Sequence, residues 1–303
     1  MKIAVTGASG FIGTALVAAL TERGDEVTPF VRPTSQATSA SSVRWDPSRG
    51  LIDEGDLRRI GALDGVVHLA GAGIADKRWS TQRKLEIMRS RVASTTLLVQ
   101  ALSSMTSGPE FLASGSAIGF YGARGDEVLD ETSERGDGFL SDVCVQWERA
   151  AEPWTSSGRR LALLRTGIVM SRHGGALKRQ LPLFRAGLGG PLASGDQWLS
   201  PISLRDEVRA ILWVLDNRLS GPVNLVSPEP VTNRTFTKIL ANEIHRPAFV
   251  RVPAFALKFA LGSELATQAV LSSQRVTPKL LSESGFNFDN PSSEGIISQA
   301  LRQ

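Results

Sequence analysis

Three glycines spaced three apart, Gly7, Gly10 and Gly13, lie in the stretch Lys2-Ile3-Ala4-Val5-Thr6-Gly7-Ala8-Ser9-Gly10-Phe11-Ile12-Gly13. That spacing suits the holding of a pyrophosphate. Gly7 lets the chain turn tightly, Gly10 has no Cβ and lets the backbone approach the phosphates, and Gly13 lets the next helix pack close to the sheet. The free N–H groups of that helix's first turn, with its dipole, favour the anion. A tight strand-to-helix turn without a ligand is the bland alternative. Further on the chain reads Val31-Arg32, with no carboxylate. An acid at this point binds the ribose 2′-hydroxyl of NAD, whereas a base accommodates the 2′-phosphate of NADP. Arg32 offers a planar donor fork that matches phosphate, so NADP is favoured over NAD. An ordinary solvated arginine is the alternative.

These residues need elements to hold them. Ile3 to Val5 reads as a buried strand because its apolar run is continuous. Ile12, Ala15, Leu16, Ala19 and Leu20 share a helix face, and Gly24 closes that helix. Glu26 to Arg32 reads as a second strand despite Pro29, which removes a ladder donor. Val43 to Asp46 is a short third strand. Asp64 to Gly71 is a turn, a buried strand and a glycine exit, which puts Leu69 and Ala70 at the carboxyl end where open α/β sheets bind ligands. His68, inside that apolar run, reads as structural rather than catalytic. A long helix spans 79–103, with Leu85, Met88, Val92 and Val99 expected on its inner side and Leu98 and Leu102 beside them. Arg91 edges that stripe and can point to the ligand edge, with Glu86 placed to position it or a ribose hydroxyl. A surface ion pair is the alternative for both.

Residues 110–116 form the next strand and its exit, and 121–138 an acidic, glycine-rich loop expected to move. A helix follows over 139–155, then an apolar strand over 161–170 interrupted by Arg165-Thr166-Gly167. Beyond it the α/β alternation weakens. A helix precedes the Gly187-to-Pro191 turn, Ser203 caps an amphipathic helix to Asn217, and Val223 to Val226 is a late strand. Thr232 caps a helix to His245, and the tail from Pro247 is mostly short helices, read from Phe255 to Phe259, Leu265 to Leu271 and Lys279 to Leu281. The pattern predicts a doubly wound parallel α/β sheet with a smaller helical domain. The expected division is 1–226, with a dinucleotide-binding core over 1–171, and 227–303 as a cap on the substrate side.

The chain has 303 residues, 42% hydrophobic and 21% charged, which fits a globular enzyme of more than one core. One cysteine, Cys144, forbids an intramolecular disulfide and fits a reducing, cytoplasmic setting. With three scattered histidines it offers no metal cluster. A strand starting at residue 1 leaves no room for a signal peptide, and no apolar run approaches the ~20 residues of a membrane helix. The net charge of +4 comes from 34 basic against 30 acidic residues. The one dense patch, Lys77, Arg78, Arg83, Lys84, Arg89 and Arg91, reads as a solvated helix face or as part of a phosphate site. No nucleic-acid motif or aromatic platform accompanies it. Neither a nucleic acid nor a membrane is expected as a partner.

Several stretches together resemble the extended short-chain dehydrogenase/reductase superfamily, NAD-dependent epimerase/dehydratase type. They are Thr6 to Gly13, Val67 to Gly71, Ser114 to Gly122 and Leu164 to Val169. The chain is similar to an atypical branch labelled "epimerase family protein", marked by Arg78-Trp79, Arg89-Ser90-Arg91, Phe139 to Cys144 before Trp147-Glu148, Gly187 to Pro191, and a C-terminal domain like Arg246 to Phe288. The resemblance implies that Gly7, Gly10, Phe11, Ile12 and Gly13 hold the pyrophosphate and Arg32 the adenosine phosphate. It places Leu69 and Ala70 beside the ribose and pyrophosphate, Glu86 and Arg91 facing the cofactor, and Val169 at the nicotinamide half. A small hydroxyl, carbonyl or nucleotide-sugar substrate would exchange hydride with the nicotinamide, and superfamily analogy suggests a homodimer.

The superfamily uses a Ser or Thr with a Tyr four residues before a Lys, the Lys lowering the Tyr pKa for proton exchange. Ser116 matches the Ser, but Leu140 and Cys144 occupy the Tyr and Lys positions. The chain's only tyrosine is Tyr121, and Gly125 stands four residues after it. Either Tyr121, Ser116 or an acid such as Asp142 transfers the proton, or the protein is a non-catalytic NADP-binding redox sensor or regulator. Cys144 reads as a buried helix cysteine more readily than as a nucleophile.

Overall fold

A strand apolar on both sides must lie inside a sheet that is covered on both faces, and Ile3, Ala4 and Val5 do. The computed structural model describes residues 1–35, 41–105 and 107–302. In chain order the first half runs β1 (Lys2–Thr6), α1 (Phe11–Glu22), β2 (Glu26–Val31), β3 (Val43–Asp46), β4 (Leu51–Ile52), α2 (Glu54–Ile60), β5 (Gly65–His68), α3 (Thr81–Ser103), β6 (Phe111–Ala117), β7 (Val128–Leu129), α4 (Phe139–Ala151) and β8 (Arg160–Thr166). It continues with β9 (Ile168–Met170), α5 (Gly175–Arg185), β10 (Trp198–Leu199), β11 (Pro201–Ser203), α6 (Leu204–Asp216), β12 (Gly221–Leu225), β13 (Val231–Thr232) and α7 (Asn233–Glu243). The tail holds α8 (Ala254–Leu261), α9 (Ser263–Leu265) running into a π turn, β14 (Arg275–Val276), α10 (Lys279–Glu283) and α11 (Ser293–Arg302).

The main sheet has eight strands in the order β12-β8-β6-β5-β1-β2-β3-β4. All pair in parallel except β4, which runs antiparallel to β3. The strand order reverses at β1, between β2 and β5, and that reversal opens a crevice at the carboxyl ends. Pro29 is tolerated in β2 because β3 pairs with it only from Phe30 onward. Ile3, Val5, Ala113 and Leu164 face Leu16 and Leu20 of α1 and Ile211 and Val214 of α6. Ala4, Val66, Leu112 and Leu161 face Leu57, Leu98, Leu102 and Ala151 on the other side. Leu16 and Leu20 are fully buried, and each stabilises the packing of α1 on the sheet by about 2 kcal/mol. A second core joins Met170, Leu177, Leu181 and Phe184 to Val231, Phe236, Ile239, Ile296 and Ile297. It therefore draws on chain from both sides of residue 226.

The inner side of α3 differs from the expected stripe. Leu85 is exposed, while Ile87, Ser94, Thr95, Leu98 and Leu102 are buried. The cause is polar: Ser94 and Thr95 turn inward to meet His68, so counting apolar residues alone rotates the helix. The 121–138 loop, expected to move, is fastened at several points. β7 pairs with β14, Arg124 N–H donates to the Ser273 carbonyl, and the Glu131 carboxylate accepts from the amides of Asn224 and Leu280.

Candidate functional site

The turn after β1 is built from close backbone approaches. Gly7 has φ +67°, and a Cβ there would meet the Leu69 carbonyl at 2.8 Å. A Cβ on Gly13 would collide with the Gly7 carbonyl oxygen, so only glycine lets α1 start this near the sheet. Gly10 N–H donates to Gly7 O at 2.8 Å. A Cβ on Gly10 would have only that oxygen near it, at 3.1 Å, and would otherwise enter open space. No side chain caps α1, which leaves the amides around Phe11, Ile12 and Gly13 at the cradle's rim. A pyrophosphate fits this backbone. The Phe11 ring packs against Gly174 and Gly175, and Gly175 in turn abuts the carbonyl of Val169. The start of α5 thus closes one end of the cradle.

A buried polar chain supports the neighbouring strand exit. Thr6 Oγ1 accepts from the amides of Leu69 and Ala70 at 3.2 and 3.3 Å. Its own proton then goes to His68 Nδ1, 2.7 Å away. Thr95 gives its proton to the Arg91 carbonyl, so it accepts from His68 Nε2 at 2.9 Å. These directions assign the Nε2–H tautomer of a neutral imidazole. Burial pushes the His68 pKa down to about 3, which keeps it neutral. His68 is a structural link that holds the backbone of Leu69 and Ala70.

Arg91 and Glu86 part company. Glu86 pairs with Arg83 at 2.6 Å, a hydrogen bond that lowers its pKa. Arg91 instead donates to the carbonyls of Ala72 and Ile87, lies against Gly71 and stands over the Trp147 ring. Burial lowers its pKa. It pins the loop after β5. Arg32 directly follows β2 and is exposed; the β1–β2 register, Thr6 beside Phe30, puts it level with Ala8.

At the carboxyl ends of β6, β8 and β12 the register sets Ser116, Arg165 and Asn224 side by side. Ser116 Oγ donates to Glu148 Oε1 at 2.6 Å. Arg165 binds both carboxylate oxygens of Glu148, at 2.9 and 3.0 Å, and donates to the Tyr121 hydroxyl at 3.0 Å. Tyr121 donates to Asn224 Oδ1 at 2.7 Å. Its side chain is fully buried, and burial raises its pKa to about 12. Both of its hydroxyl positions are filled from within the protein. Cys144 is also buried, with its thiol pushed up to about 12. Leu140 N–H is capped by Gln268 Oε1 at 3.2 Å, so the tail covers the start of α4. Asp142 is exposed and paired with Arg135. Glu148, Arg165 and Asn224 were missed in the sequence. A charged residue inside the apolar run 161–170 was the available signal, because a buried arginine needs a buried acid. Among the described residues no cluster of metal-ligating side chains occurs.

A glycine cradle at the switch point of a doubly wound sheet defines a nicotinamide dinucleotide-binding, epimerase-like protein. Residues 3–226 match the NAD-dependent epimerase/dehydratase family, and the chain belongs to it. Residues 252–300 match a domain of unknown function designated DUF1731. The chain is 41% identical over 287 residues to the epimerase family protein Mb2239 of Mycobacterium bovis, covering 94% of this chain and 93% of that one. It is similar to the human epimerase family protein SDR39U1, solved with NADPH, at 30% identity and TM-score 0.89, covering 100% and 99% of the two chains. UDP-glucose 4-epimerase of Thermus thermophilus, solved with NAD, shares the fold at 19% identity and TM-score 0.76, covering 100% and 99%. Among the described residues no helix is long and apolar enough to cross a membrane.

Proposed function

We propose that this protein binds NADP in preference to NAD and exchanges hydride with a small hydroxyl or carbonyl substrate, of which a nucleotide sugar is one form. The observation that carries the reading is the cradle in which Gly13 abuts the Gly7 carbonyl while Gly10 faces open space. The NADPH in the human relative and the cation Arg32 after β2 support the 2′-phosphate preference. Gly7, Gly10, Phe11, Ile12 and Gly13 hold the pyrophosphate, Leu69 and Ala70 flank it, Arg91 fixes the loop beyond them, and Val169 borders the nicotinamide half. When bound, the nicotinamide supplies the hydride acceptor or donor.

Proton transfer then falls to Ser116 with Glu148. Ser116 already gives its proton to Glu148, so its oxygen can accept the proton of a substrate hydroxyl while its own passes to the carboxylate. Tyr121, sealed against Asn224 and Arg165, serves as a positioning residue for Arg165. The test is a hydroxyl and carbonyl panel followed by nicotinamide absorbance. Ser116→Ala and Glu148→Gln should each lower kcat far more than NADPH affinity. Turnover unchanged in both would refute the proton route. A second reading, a redox sensor without turnover, is favoured by Leu140 and Cys144 standing where a Tyr and a Lys would act. NADPH binding with no hydride exchange across the panel would select it.

A further inference from the structure

Helix α8 has no buried residue, although its sequence, AFALKFAL, is apolar apart from Lys258. Phe255 is 75% exposed and Phe259 83%, one helical turn apart, and Phe249 just before the helix is 80% exposed. Leu188 and Leu183 are also exposed. The segments that carry Leu188 and Phe249 lie against each other, and α8 follows directly from the second of them. Arg246 Nε donates to the Arg185 carbonyl, Val250 packs on Gly190, and Ala193 N–H donates to the Val252 carbonyl. So many aromatic side chains left in water mark a contact surface.

The charge around them identifies what they contact. Segments 174–191 and 245–262 carry Lys178, Arg179, Arg185, Arg246, Arg251 and Lys258, and no Asp or Glu. Arg179 pairs with Asp76. Hydrogen bonds from Arg234 and Ser194 lower the Asp196 pKa, and the charge of nearby Arg251 adds to them. Arg246 hydrogen-bonds the Arg185 carbonyl rather than an acid, which leaves the collar with a basic excess. A second copy of the chain would set this basic collar against itself. Phe249, Phe255 and Phe259 are each 75% or more exposed, so their rings stand out from the protein as knobs. Knobs need an acceptor that yields around them, and a fluid bilayer does so without preformed pockets.

We infer that α8 and the 183–191 and 246–252 segments dock the protein peripherally on an anionic lipid surface, with Phe249, Phe255 and Phe259 entering the headgroup boundary. This departs from the expectation of no membrane contact, which rested on spanning length; an interfacial helix does not span. The basic collar draws the protein to anionic headgroups, and the attraction fades with salt.

The test is vesicle co-sedimentation of the full chain with phosphatidylcholine alone and with added phosphatidylglycerol. Binding to the anionic vesicles only, weakened by salt, is expected. Phe255→Ser with Phe259→Ser should weaken it, each substitution by roughly tenfold, and Arg251→Glu with Lys258→Glu should abolish it. All four side chains are exposed, and unchanged NADPH binding confirms that the variants are folded. No sedimentation with anionic vesicles, or equal binding by the Phe variants, overturns the proposal. A dimer in solution that the Phe variants dissociate also overturns it, in favour of a second copy. So does salt-sensitive capture by an acidic protein without vesicle binding.

Discussion

Glu207 is fully buried in the first turn of α6, and its Oε1 accepts one hydrogen bond, from Thr166 at 2.9 Å. Its other oxygen has no partner. Burial raises the carboxyl from 4.5 to about 8, and the Thr166 hydrogen bond opposes that only in part. An acid with a raised folded-state pKa stabilises the fold fully below its unfolded value. It loses that contribution as pH climbs through the folded value, because the unfolded chain releases the proton first. Between about pH 5 and pH 7.5 the loss amounts to roughly 3 kcal/mol, at about 1.4 kcal/mol per pH unit. Glu207→Gln cannot ionise and keeps an acceptor for Thr166. Its amide hydrogens enter an apolar site at a cost of about 1–3 kcal/mol that does not vary with pH. The assay is urea unfolding of both proteins across pH 5 to 8. The variant should start less stable and close the gap as pH rises, with the difference shifting by roughly 3 kcal/mol. Parallel pH profiles would refute the raised carboxyl.

Four further outcomes are expected. Glu148→Gln leaves Arg165 a buried cation without its carboxylate and should cost about 3–5 kcal/mol in urea unfolding. Tyr121→Phe removes the donor to Asn224 and the acceptor for Arg165, and should cost about 1–3 kcal/mol while nicotinamide binding survives. Gly13→Ala forces α1 away from the Gly7 carbonyl, so both thermal stability and NADPH binding should fall. Gly10→Ala brings its Cβ to 3.1 Å from the Gly7 carbonyl oxygen and otherwise into open space, so stability should fall much less than for Gly13→Ala while NADPH affinity falls.

The cradle was legible because its cause is local. Glycine spacing, a continuous apolar strand and an amphipathic helix all sit within the first two dozen residues, and the structure keeps their register. Caps read equally well: Ser203 and Thr232 each accept from a first-turn amide. Pairings over long sequence distances were not legible. Nothing near Ser116 announces that Glu148 lies beneath it, or that Asn224, over a hundred residues past Tyr121, holds its hydroxyl. The face of α3 misled for a related reason: its inward Ser94 and Thr95 make sense only once His68 is in place. Helix α11 escaped the reading of the tail because its buried Ile296, Ile297 and Ala300 pack on partners from α5 and α7.

The central claim is a backbone cradle for a dinucleotide with a cation placed for its 2′-phosphate. Titration of the folded protein with NADPH and NADH, read by nicotinamide fluorescence, tests it most directly. NADPH should bind more tightly than NADH, and Arg32→Ala should erase that preference while sparing NADH. Equal affinities that Arg32→Ala leaves unchanged would contradict the phosphate assignment, and no binding of either cofactor would contradict the cradle itself.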